Sequence, residues 1–202
     1  MSTPESARSR AFKSPGELGA WLRKNHARET ELWIKIFKKG SGVASVTWAD
    51  VVIETLCWGW IDGVKKSLGE EAYLQRITPR KPRSSWSRKN TEHVERLISE
   101  GRMQEPGLVH VNAAKADGRW ENAYAPASEM EVPEDFLTAV RKEVKIRRFY
   151  ETLNKTNRYA IAYGLTTAKK PETRQRRFDK FMGMLMREEA PDFGFKKKPK
   201  KT

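Results

Sequence analysis

Six basic side chains, two prolines and a tryptophan crowd the fifteen residues Arg76–Asn90, the strongest chemical signal in the chain. A helix opening after Ser85 would direct free backbone amides toward the same place as Arg80 and Lys81, a natural position for an anion. Trp86 offers a face on which a cation can stack, and Asn90 could fix the orientation of a ligand. A second Arg/Trp pair follows in Lys115-Ala-Asp-Gly-Arg119-Trp120. The run Trp58-Gly59-Trp60-Ile61-Asp62-Gly63 adds two indoles and a carboxylate in a short apolar stretch. Together these residues suggest a groove for a small anionic ligand, built from Trp58, Trp60, Asp62, Arg80, Lys81, Trp86, Asn90, Lys115, Arg119 and Trp120. Charge-assisted bonds from arginine to carboxylate or phosphate supply its physical basis. The plainer alternative is an exposed basic crossover in which Trp86 plugs the core and Gly118 merely ends a helix.

Other chemistries find less support. No Gly-x-Ser-x-Gly elbow is present, and His26, His93 and His110 lie far apart without helix-spaced carboxylate partners. No His or Cys pair has metal-ligand spacing, so no metal site is expected. Gly40-Ser-Gly42 lacks a following Gly-Lys-Ser/Thr, and no Gly-x-Gly-x-x-Gly opens a helix, so no nucleotide cofactor is expected either. Asp50 and Glu54 share a helix face, where Asp50 serves the helix start and Glu54 reads as a solvated flank. An enzyme using Asp62 with the nearby cations stays open as an alternative, although no catalytic constellation stands out. The single cysteine, Cys57, sits between Leu56 and Trp58 and reads as a core thiol.

The chain has 202 residues and a net charge of +14, with 38% hydrophobic residues including seven Trp and eight Phe. That is enough apolar material for a real core, and no apolar run is long enough to span a membrane. Met1–Arg10 lacks the apolar region of a secretion signal, so a cytoplasmic protein is expected. Residues 1–140 carry 21 basic and 19 acidic side chains, whereas residues 141–202 carry 19 and 7. Nonspecific nucleic-acid association through Arg176, Lys180, Arg187, Lys196, Lys197 and Lys198 is therefore a second reading. No helix-turn-helix, RRM, KH or zinc-finger pattern accompanies it. Pattern alone leaves the oligomeric state open.

The elements that must position these residues are legible from caps and periods. Ser14-Pro15-Gly16-Glu17 opens a first helix with a capping box and proline at its first position. Thr30–Phe37 alternates, with Leu32, Ile34 and Ile36 on one face and Trp33, Lys35 and Phe37 on the other. Thr47 caps a second helix that Gly59 closes. Residues 60–66 and 72–78 read as a β-hairpin. Helices follow over 87–100 and 106–117, then a linker over 125–133, then helices over 133–143, 145–153, 155–165 and 171–188. The expected fold class is α+β: a short antiparallel sheet with covering helices plus a C-terminal helical subdomain. Its expected parts are a flexible N-terminus (1–12), an α+β domain (13–124), a linker with the helical subdomain (125–190) and a basic disordered tail (191–202).

The runs Trp58–Gly63, Thr78-Pro-Arg-Lys81, Ser85-Trp-Ser87 with Asn90, Gly101-Arg-Met103, Ala114–Trp120 and Ala123-Tyr124 form a pattern. It continues in Asn157-Arg-Tyr159, Ala168-Lys-Lys170, Glu172-Thr-Arg174 and Arg176-Arg177. Over residues 13–190 this pattern resembles the YdeI/OmpD-associated family of bacterial proteins. The resemblance implies a role in bacteriocin protection, stress or antimicrobial-peptide tolerance and defines no catalytic residues. The N-terminal half is also similar to small YdhG-like α+β domains, some of them discussed as iron chaperones.

Overall fold

Local caps set the helices of the computed structural model, which describes residues 9–126 and 129–192. Helix α1 (Pro15–Asn25) starts where Ser14 Oγ accepts from the Glu17 amide. The Glu17 carboxylate in turn accepts from the Lys13 amide at 2.8 Å. Its Leu18 and Leu22 are fully buried, each contributing roughly 2 kcal/mol of apolar burial. Helix α2 (Trp48–Cys57) carries a complete capping box between Thr47 and Asp50. Glu54, expected to be solvated, instead holds Arg102 at 2.8 Å with its side chain only 13% exposed. Helices α3 (Arg88–Ser99) and α4 (Glu105–Ala116) complete the helical part of the first of two compact units, Met1–Ala123.

Strands β1 (Leu32–Phe37), β2 (Trp60–Ser67) and β3 (Ala72–Pro79) form an antiparallel sheet in the order β1-β3-β2. The β2–β3 hairpin pairs locally, and β1 then joins the free side of β3, placing Leu32 opposite Ile77 and Phe37 opposite Ala72. A bulge interrupts β2 between Asp62 and Lys65. Buried Gln75 answers it by donating to the Gly63 carbonyl at 3.0 Å, so the irregularity leaves that acceptor satisfied. Residues placed in the N-terminal arm are tied to this sheet: Arg10 bridges Ile34, and Phe12 is buried.

The alternation in β1 does what its period implies. Leu32, Ile34 and Ile36 join Leu18, Leu22, Val51, Trp60 and Ile77 in one core cluster. On the opposite face Trp33 is also buried, with Lys66 Nζ 4.8 Å from its ring. A second cluster joins Val52, Leu56 and Cys57 of α2 to Val94 and Leu97 of α3, to Val111 and Ala114 of α4, and to Trp86 and Trp120. Trp58 packs against both clusters. Two glycines permit the close approach of α4. A Cβ at Gly59, whose φ is 70°, would lie 2.6 Å from the Pro106 carbonyl oxygen, and one at Gly107 would lie 2.7 Å from that of Leu56.

The second unit, Tyr124–Thr202, contains α5 (Glu134–Lys142), α6 (Val144–Thr152), α7 (Lys155–Thr166) and α8 (Pro171–Met186). Phe136, Val140, Ile146, Ile161, Leu165, Phe181 and Leu185 form its own core. Within the apolar stripe expected on α8, Phe181 and Leu185 are buried while Met186 is 40% exposed. Pro191, placed in the tail by sequence, is buried and its carbonyl accepts from Asn157 Nδ2 at 2.8 Å. The fold is therefore α+β. No helix among the described residues is long and apolar enough to cross a membrane.

Candidate functional site

Strand β3 ends at Pro79 and delivers Arg80 to the start of the crossover toward α3. The Arg80 amide donates to the Gly59 carbonyl at 2.9 Å, fixing the backbone there. Its guanidinium then lies almost wholly buried, 3% exposed, with its carbon 3.7 Å from the centre of the Trp86 ring. Arg80 Nη1 donates to Ser84 Oγ at 3.3 Å and to the Ser85 carbonyl at 3.1 Å. Ser84 Oγ passes its own proton to the Lys81 carbonyl at 2.8 Å. The crossover is thus a turn wrapped around a guanidinium.

Beneath that guanidinium the aromatic rings continue. Trp86 and Trp120 pack with ring centres 5.0 Å apart, and Lys115 Nζ caps the far side at 5.1 Å from the Trp120 ring. The four side chains run cation, indole, indole, cation. Trp120 Nε1 reaches Glu95 Oε1 at 3.4 Å. Trp86 Nε1 is buried with no hydrogen-bond partner among the described residues, which carries a desolvation cost.

Helix α4 ends at Ala116, and Gly118 with φ 75° turns the chain back. This turn aims Arg119 at the crossover, where Nη1 donates to the Ser84 carbonyl at 2.9 Å. Arg119 Nε lies 2.7 Å from both oxygens of Asp117. The Arg119 side chain is 11% exposed, its acidic partner 49%. His110, half-buried on α4, sits within the field of the same two arginines. Burial, then Arg80, then Arg119 push its imidazole below the ordinary histidine range.

Of the residues suggested by sequence, Arg80, Trp86, Lys115, Arg119 and Trp120 therefore come together. Trp60 lies in the other core cluster, edge-on to Trp21 at 6.0 Å, and Trp58 packs its ring on His26 at 4.8 Å. Asp62 accepts from Trp48 Nε1 at 3.0 Å. Lys81 is exposed, and Asn90 lies half-buried in the first turn of α3. His110 and Ser84 joined the cluster unannounced: a histidine's distance from two arginines elsewhere in the chain leaves no local trace.

The other candidates are more dispersed. Arg176 and Lys180 are exposed on α8, and Arg187 pairs with Glu189 at 3.1 Å. Lys196, Lys197 and Lys198 lie outside the described residues. Cys57 is buried, and burial followed by the Glu54 charge pushes its thiol up to about 11. Among the described residues no three His, Cys, Asp or Glu side chains group as metal ligands would.

Known families divide along the same line as the fold. Residues 10–110, half of the chain, match the model of DUF8412, a domain of unknown function. Residues 129–188 match the model described as Bacteriocin-protection, YdeI or OmpD-Associated. The chain belongs to the DUF8412 family and carries a YdeI/OmpD-associated segment. The YdeI/OmpD-associated resemblance read over residues 13–190 is thus matched by that family's model over 129–188 only, and its motifs up to the Arg80 crossover lie in the DUF8412 part. No curated protein and no solved structure matches the chain.

Proposed function

We propose that the first unit is a non-enzymatic binding module for a small anion, a carboxylate or phosphate held by Arg119 and Arg80 over the Trp86–Trp120 stack. The bacteriocin-protection description of the family matched over residues 129–188 supports a role for this module in tolerance to bacteriocins or antimicrobial peptides. One observation carries the reading: the carboxylate that Arg119 grips with both oxygens belongs to half-exposed Asp117. The contact is charge-assisted and runs through Nε–H alone, shared between the two Asp117 oxygens, and a carboxylate or phosphate offers the same acceptor oxygens. An incoming anion displaces Asp117 into solvent and inherits a desolvated guanidinium backed by Arg80 and His110. Because the cluster is largely withdrawn from water, its attraction is screened less by salt than that of exposed lysines.

The test is tryptophan fluorescence during titration with phosphate, citrate and duplex DNA at two salt concentrations. The expected result is a saturable, salt-tolerant change with a small anion. Arg119→Ala abolishes it. Asp117→Asn removes the internal competitor and tightens binding by about fivefold, the equivalent of roughly 1 kcal/mol. A response to DNA alone, falling steeply with salt, would move the functional surface to exposed basic residues such as Arg176 and Lys180.

A further inference from the structure

The second unit contains a cleft of about 920 Å³ to which no role is attached. Its size lies near the upper end for small-molecule sites, roughly 300–1,000 Å³. Met130, Val132 and Leu137 give its lining apolar surface, and Tyr150 and Tyr159 give it aromatic surface. Both rings are held in place. The Arg158 guanidinium lies 5.2 Å over Tyr150 and donates to the Glu151 carbonyl at 3.1 Å. Tyr159 packs on Tyr163 at 5.9 Å, and Tyr163 on Tyr124 at 5.3 Å.

The lining holds charges of both signs. Lys155 and Thr156 open α7, and Asn154 Oδ1 caps only the Asn157 amide. The first amides of that helix therefore have no helical acceptor, and Lys155, Thr156 and Arg158 line the cleft. Lys155 makes no ion pair among the described residues. Two carboxylates, Glu131 and Glu134, also line the cleft, but Glu134 is taken by both Nη atoms of Arg141, at 2.6 and 3.4 Å. A cavity lined by apolar side chains, two anchored tyrosine rings and a lysine that makes no ion pair among the described residues suits a flat, apolar body carrying a single negative charge.

We infer that this cleft is a binding site for aromatic organic acids, the ring body lying against Leu137, Tyr150 and Tyr159 and the anionic group at Lys155. This site is separate from the Arg119 cluster, and neither proposal depends on the other.

The test is amide-resolved NMR on the full chain titrated with 2-naphthoate, with 2-naphthalenemethanol as its uncharged counterpart and acetate as the ringless one. Saturable shifts are expected over residues 131–137 and 155–159 with naphthoate. Binding of the alcohol should be weaker by about tenfold or more, the worth of one charged hydrogen bond, and acetate should leave these amides unmoved. Lys155→Glu should weaken naphthoate by at least as much. Thr156→Asp, which suits the start of a helix and so preserves the fold, should do the same by placing a carboxylate next to Lys155. Absence of saturable shifts in these two segments, or equal affinity for acid and alcohol, overturns the proposal. So does a naphthoate affinity unchanged in Thr156→Asp.

Discussion

A guanidinium 3% exposed is expensive to withdraw from water unless its hydrogens and its face are occupied. Arg80 meets only part of that demand: its face stacks on Trp86 and Nη1 donates to the Ser84 hydroxyl and the Ser85 carbonyl, while buried Nε and Nη2 make no hydrogen bond among the described residues. The residue types of this cluster were legible as two Arg/Trp pairs, because such pairs are unusual in composition and close in sequence. Their stacking order was not, since it depends on how the turn after β3 meets the turn after α4. Asp62 shows the reverse: its setting between tryptophans suggested chemistry, yet the indole that binds it belongs to Trp48. Cys57 is the clearest single-residue forecast, a thiol flanked by apolar residues that proves buried and pushed up to about 11. Because the thiolate is the reactive species, the native protein should resist iodoacetamide at neutral pH, while the urea-unfolded chain should be alkylated readily. Comparable rates in both states, followed by mass spectrometry, would show that the thiol is neither shielded nor raised.

At the scale of elements, capping chemistry made helix starts legible. Ser14-Pro15 and Thr47 with Asp50 sit where their caps require, because a cap is a local interaction written within four residues. The strand order β1-β3-β2 was not legible, because alternation fixes which face is buried without naming the neighbour. Glu54 was misread as a solvated flank, since its partner Arg102 arrives from the turn after α3. The approach of α4 to the end of α2 gives a prediction whose sign separates packing from propensity. In Gly107→Ala the added methyl meets the Leu56 and Cys57 carbonyl oxygens, backbone atoms that cannot swing aside. The expected loss is about 1–3 kcal/mol. In Gly16→Ala the nearest atom is Ser14 Oγ at 3.9 Å, so helix propensity should dominate and stabilise by about 0.5–1 kcal/mol. Urea melts of both variants check this, and a stabilised Gly107→Ala protein would mean that α4 does not pack so closely on α2.

Across the whole molecule, two units with separate cores answer to two family models. The positive charge is concentrated after residue 140, whereas the convergent arginine cluster lies in the nearly neutral part before it. A strong excess of lysine and arginine attracts polyanions through counterion release without any built site. The Arg80–Arg119 cluster differs because its cations are fixed by turns and stacked rings. That contrast is why the sequence, dominated by its basic last third, supported nucleic-acid association and small-anion binding together. An anion held by Arg119 and Arg80 would lie in the field of His110, and the imidazole itself can report it. NMR titration of His110 should first find its pKa below the ordinary value near 6.5, because burial and the two arginines disfavour the imidazolium. An anion bound between those arginines favours the charged form and must raise that pKa. Citrate at saturating concentration should therefore shift the His110 midpoint upward in the native protein and leave it unmoved in Arg119→Ala. A midpoint that does not change with citrate, phosphate or any other small anion would rule out anion binding there and leave the cluster as a structural plug for the core.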